Sequence, residues 1–108
     1  MECGHVGILT VDLHLPEGSS LKTKRKELLR LRNALERRCS CVVAEVDHHD
    51  LWQRTGLTLT LVSRTAGEVT ERLDHASRML HADEAFQVVG ETRTLVPVSD
   101  DPEITWEM

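Results

Sequence analysis

Hydrophobic and polar positions alternate through residues 5–15 (HVGILTVDLHL), with Leu9, Val11, Leu13 and Leu15 on one side and Ile8, Thr10, Asp12 and His14 on the other. Period two over this length predicts a strand buried on one face. Pro16-Glu17-Gly18-Ser19-Ser20 breaks the pattern, and Ser20 stands where a helix N-cap is needed. From 21 to 38 the period changes. At ~100° per residue, Leu21, Leu28, Leu31 and Leu35 fall within about 80° of one another. Lys22, Arg25, Lys26, Arg30, Arg32 and Arg37 take the opposite arc, so an amphipathic helix with a basic outer face is predicted.

Alternation returns over 41–47 (CVVAEVD), where Val42, Ala44 and Val46 are expected inward and Val43 outward. Residues 48–54 read as a polar connection. Residues 57–64 (LTLTLVSR) put Leu57, Leu59 and Leu61 inside and Val62 outside. After Thr65-Ala66-Gly67, a second helical stripe of Val69, Leu73, Ala76 and Leu80 ends near Ala82-Asp83. Residues 85–96 predict a last strand, with Gly90 a candidate bulge. Strand–helix–strand–strand–helix–strand is the order of the ferredoxin-like α+β fold, βαββαβ, a four-stranded antiparallel sheet with two helices on one face. One domain over 1–98 with an acidic tail over 99–108 is expected. The expected core is Leu9, Val11, Leu13, Leu28, Leu31, Leu35, Val42, Val46, Leu59, Leu61, Val69, Leu73 and Leu80.

Composition narrows the functional classes. A chain of 108 residues buries enough surface for one core without disulfide or metal staples. Aromatics are 3% (Trp52, Phe86, Trp106), which leaves no sheet of stacking platforms for nucleic-acid bases. No apolar run approaches the ~20 residues of a membrane span, and the start of the chain lacks a signal-peptide pattern. Three cysteines, an odd number, point to reduced thiols and a cytosolic setting.

The net charge of −5 conceals an asymmetry: residues 22–38 hold eight basic side chains against two acids, whereas from Asp83 onward there are seven acids and one base. A basic face on an acidic protein can still meet an anionic partner. Lys22, Lys24 and Arg25 crowd the start of the helix, where cations oppose the helix dipole and an anion would be welcome. Lys22, Lys24, Arg25, Lys26, Arg30, Arg37 and Arg54 are therefore candidate nucleic-acid contacts, with RNA or a ribosomal particle as partner and no DNA sequence specificity.

Three other constellations carry chemistry. In Asp50-Leu51-Trp52-Gln53-Arg54, Trp52 either caps the core while Arg54 pairs with Asp47 or Asp50, or stacks on a base while Arg54 takes a phosphate. Scarce aromatics favour the first. On the open sheet face, Asp12, His14, Glu45 and Glu91 are expected beside Thr58 and Thr60. Asp12, His14 and Glu45 form a possible ligand face, and an imidazole among carboxylates suits acid–base work. No nucleophile elbow, phosphate loop or cofactor fingerprint accompanies them. A non-enzymatic protein is thus expected; the alternative is a homodimeric small-molecule-binding module or enzyme using the face around His14. His48-His49-Asp50 with Cys39 and Cys41 lack the paired spacing of a zinc site, so no metal or cofactor is expected. Outward Ile8, Val43 and Val62 suggest self-association as a homodimer, through the open face or an edge strand.

The run Val6-Gly7-Ile8-Leu9-Thr10-Val11-Asp12-Leu13-His14-Leu15-Pro16, with Ser20-Leu21-Lys22, Lys24-Arg25, Ala44-Glu45-Val46-Asp47 and Asp50-Leu51-Trp52-Gln53-Arg54, resembles the YlxP-like family of small bacterial proteins. The resemblance spans nearly the whole chain. It implies a ferredoxin-like fold without an established activity, and genes that lie among those for translation and ribosome maturation. Cys39-Ser40-Cys41-Val42-Val43 and His48-His49 depart from that family's usual pattern.

Overall fold

In the computed structural model, which describes residues 1–16, 20–48 and 50–99, six elements follow in the expected order. They are β1 (His5–His14), α1 (Leu21–Cys39), β2 (Val42–Asp47), β3 (Arg54–Ser63), α2 (Ala66–Ala82) and β4 (Gln87–Pro97). Every strand pairing is antiparallel, and the sheet runs β2-β3-β1-β4 with β1 and β3 central. Both helices cover one face of it, the ferredoxin-like α+β arrangement. The expected acidic tail beyond Ser99, with Ile104 and Trp106, lies outside the described residues, as does His49.

Local chemistry sets the helix limits. The Ser20 hydroxyl accepts from the Thr23 amide at 3.2 Å and caps α1, and Thr65 does the same for α2 through the Glu68 amide at 3.1 Å. α1 stops where Ser40 turns left-handed at φ 51°. Behind these caps, Leu28, Leu31 and Leu35 of α1 and Val69, Leu73 and Leu80 of α2 pack on Leu9, Val11, Leu13, Leu59 and Leu61 of the sheet, all buried as expected. Leu15, Leu57, Ala76 and Phe86 join them. Gly7 lets α2 approach β1 closely, since a Cβ there would stand 2.5 Å from a Val69 methyl.

Three expectations about facing need correction. Val42 and Val46 are 67% and 58% exposed, whereas Val43 is buried at 2%. The left-handed Ser40 sends Cys41 inward to the core, so 41, 43 and 45 face the helices. The adjacent valines gave either parity an apolar stripe. Glu45 accordingly leaves the open face for the helix side. Glu91 does the same: β4 gains an extra residue, Val89, between the partners of Asp12 and Leu13, and this bulge beside Gly90 resets the alternation. Ser77 of α2 then donates to Glu91 at 2.6 Å. β3 also begins at Arg54, earlier than expected, because Arg54 to Gly56 complete the ladder with β1.

Two substitutions test this packing. Leu31→Ala should cost about 2–5 kcal/mol in urea unfolding, as for an enclosed leucine. Val43→Ala should cost clearly more than Val42→Ala, because only Val43 is enclosed by the core. The reverse order would restore the opposite facing of β2.

Candidate functional site

The outer arc of α1 carries the candidate anion contacts. Lys22, Lys26 and Arg37 are exposed there, on the side opposite Leu28, Leu31 and Leu35, and Arg25 is exposed on the flank of that arc. No acidic residue lies in the first turn of α1, whereas α2 places Glu68 in its own. The α1 N-terminus therefore adds its partial positive charge to the side chains around it. Arg30 is half-exposed and bridged to Glu27 at 2.8 Å and to Asp83 at 2.9 Å, so its charge is already partnered. Arg32 turns to the sheet edge and donates to the Val43 carbonyl at 3.1 Å. Between α1 and α2 lies a groove of about 640 Å³ rimmed by Glu27, Asp83 and Glu84 as well as Arg30 and Arg38. Its mixed charge separates it from the outer arc, where Glu36 is the one exposed acid among Lys22, Arg25, Lys26 and Arg37.

Two of the candidate contacts are engaged elsewhere. Lys24 is 1% exposed. Its ammonium donates to the carbonyls of His48 at 2.7 Å and Leu51 at 2.6 Å and meets Glu45 Oε2 at 3.1 Å. Thr55 Oγ1 donates to the same carboxylate oxygen at 2.5 Å. Around the helix Lys24 lies about 200° from Lys22, within the leucine arc, so position and not charge decides its burial. The segment it clamps contains His48 in left-handed backbone at φ 60°, a conformation that a non-glycine residue holds only when its surroundings enforce it. Arg54, the second, pairs with Asp12 across the β1–β3 ladder: its Nε donates to Oδ1 at 3.1 Å and its Nη2 binds Oδ2. This two-pronged contact lies on the open face, and its partner is neither Asp47 nor Asp50 as expected. Trp52 beside it is partly buried.

On the open face Asp12 is flanked in the ladder by two glycines, Gly56 on β3 and Gly90 on β4. A Cβ on Gly56 would stand 2.9 Å from the Cβ of Asp47, so only glycine leaves the strand pair room. His14 stays on this face, partly buried, as the ladder partner of Arg54. With Glu45 on the other side beside Lys24, the set Asp12, His14 and Glu45 does not assemble.

Cys39 and Cys41 are buried free thiols, away from His48, which pairs with Asp47 at 3.5 Å. Burial pushes the Cys41 thiol up from 9.0 to about 11, and neighbouring Cys39 and Glu36 add to the shift. Burial raises Cys39 as well. Among the described residues no group of three or more His, Cys, Asp or Glu side chains is placed to hold a metal ion. No helix among them is long and apolar enough to cross a membrane.

The site thus defines a ferredoxin-like α+β protein with one cationic helix face and a sheet face left open. Residues 6–93 match the family described as "Protein of unknown function (DUF503)", and the chain belongs to that family. A structural-genomics structure of a protein called YJCS shares the fold, at 13% identity and a TM-score of 0.50 over 82% of this chain and 96% of that one. No curated protein matches the chain.

The buried groups generate two predictions. Lys24→Ala leaves Glu45 and two carbonyls without their cation and should cost about 3–5 kcal/mol, measured by urea unfolding. The raised Cys41 pKa means that the unfolded thiol ionises before the folded one. Its contribution is complete below pH 9.0, the ordinary value of a free thiol, and is lost as pH climbs to about 11. Melting temperature should fall over that window more steeply in the unaltered protein than in Cys41→Ala.

Proposed function

We propose that this chain is a non-catalytic protein of the bacterial cytosol that associates with RNA or a ribosomal particle through the outer face of α1. The observation that carries the reading is the exposed arc of Lys22, Arg25, Lys26 and Arg37 beside a helix N-terminus without a first-turn acid. Such a surface neutralises phosphates and releases counterions, so it binds polyanions in a salt-dependent, largely sequence-neutral way. Lys24 and Arg25 then have separate duties, the first inward and structural, the second outward. Lys24 and Arg54 drop out of the contact set, and Arg30 is secondary because Glu27 and Asp83 hold it. The three free thiols suit a reducing compartment. The YlxP-like resemblance, with its translation-linked gene neighbourhood, supports the same reading.

Reversing Lys22, Lys26 and Arg37 to Glu should abolish co-sedimentation with ribosomal particles while leaving the far-UV circular dichroism unchanged, since all three side chains face solvent. On a single-stranded RNA probe, each lost phosphate contact should lower the slope of log affinity against log salt by about 0.7. Reversal of Glu71, exposed on α2, should not weaken binding. Equal co-sedimentation of the wild type and the triple variant, or of neither, would falsify the proposal.

A further inference from the structure

The face of the sheet that the helices leave bare is graded along the strands. At one end Val62, Val6 and Val96 stand side by side across β3, β1 and β4. The next row brings Ile8 between Thr60 and Thr94, with Val42 beyond Thr60 on β2. The row after that is threonine, and the Thr10 and Thr58 hydroxyls satisfy each other at 2.9 Å. Charge enters only at the far end, where Asp12 and Arg54 neutralise one another and Asp47 stands exposed beside them. Val42, Val62 and Val96 are 67%, 60% and 41% exposed. Clustered exposed valines on a flat, β-branched surface mark an interaction site and not a solvated one.

We infer that this face is covered by a second copy of the chain, packed sheet to sheet in a two-fold dimer. The area fits: four strands at ~4.8 Å and five rows at ~6.7 Å give a footprint of about 600 Å² before side-chain relief, near the ~800 Å² per partner of a standard interface. The grading selects the geometry. A two-fold axis along the strands sets valine row on valine row and one neutral Asp12–Arg54 pair towards the other. An axis across the strands would press the valines onto Arg54 and His14. Nucleic acid does not suit this face: among the described residues it carries no Phe, Tyr or Trp on its strands, and Arg54 is held by Asp12. Pairing along the β4 edge is opposed by Pro97 and by the bulge at Val89, two devices that interrupt edge-to-edge ladders. The helices lie on the reverse side of the sheet, so both α1 basic arcs of the dimer remain outermost. The dimer stands independently of the polyanion reading and fails or survives separately from it.

Sedimentation equilibrium without nucleic acid tests the inference. At micromolar concentrations the chain should run at twice its 12.2 kDa mass. Val62→Asp and Val42→Asp, made separately, should each weaken the dimer about 100-fold or more by burying a carboxylate in an apolar contact, with far-UV circular dichroism unchanged. Leu95→Asp, on the helix-facing side of β4, should leave the dimer intact. A monomeric wild type overturns the inference, as does a dimer indifferent to both valine variants. Dissociation by Leu95→Asp alone would assign the contact to the β4 edge instead.

Discussion

A single buried ammonium ties this fold together. Lys24 extends inward from the first turns of α1 and gathers partners from three other segments, among them the Glu45 carboxylate on β2, the His48 and Leu51 carbonyls, and, through Glu45, the Thr55 hydroxyl on β3. Desolvating a cation is expensive, and the cost is offset only where each of its protons finds an acceptor in good geometry. Here the geometry is good. The reward is positional more than energetic, since the contact fixes the β2–β3 connection to the helix and holds His48 in left-handed backbone. Three of the stretches that carry the family resemblance, around Lys24, Ala44–Asp47 and Asp50–Arg54, meet at or beside this clamp. They describe how the chain is held together before they describe what it binds.

The clamp also explains how a helix can be basic all along its length and yet present two different surfaces. Inward, one lysine is fully compensated. Outward, four cations face solvent with no acidic neighbour in the first turn. Acidic side chains elsewhere take up selected arginines: Asp83 and Glu27 hold Arg30, Asp12 holds Arg54, and Asp74 holds Arg93 at 2.5 Å. The result is a protein of net negative charge that keeps a cluster of solvent-facing cations on α1, with a largely β-branched sheet face on the other side of the molecule.

Long, strongly periodic segments were legible directly. β1, α1, β3 and α2 each carry one apolar stripe that admits one facing, and their order determines the topology. β2 was not legible, because Val42 and Val43 make two competing stripes and the backbone of Ser40, which no residue pattern announces, chooses between them. β4 changed facing at its bulge, where a single extra residue inverts everything on one side of it. For the site, the exposed arc of Lys22, Arg25, Lys26 and Arg37 followed from helical angles alone. Lys24 was obscured by counting cations along the chain, although its angle already placed it among the leucines. The Asp12–Arg54 pair depends on the register between β1 and β3, a long-range property of two residues 42 positions apart that no local pattern encodes.

The exposure of β4 has a consequence for how the molecule fails. Almost every residue of that strand is exposed, and it is attached along one side only, to β1. β1 is the most regular strand in the protein, ten residues with an uninterrupted buried alternation. Were β4 to peel away while the rest stayed folded, the unpaired edge of β1 would be long, straight and apolar on one face, the kind of template that recruits another strand. The same β4 from a neighbouring molecule would fit it best. Partial opening of this fold therefore leads naturally to strand exchange between copies and to aggregation, well short of global unfolding.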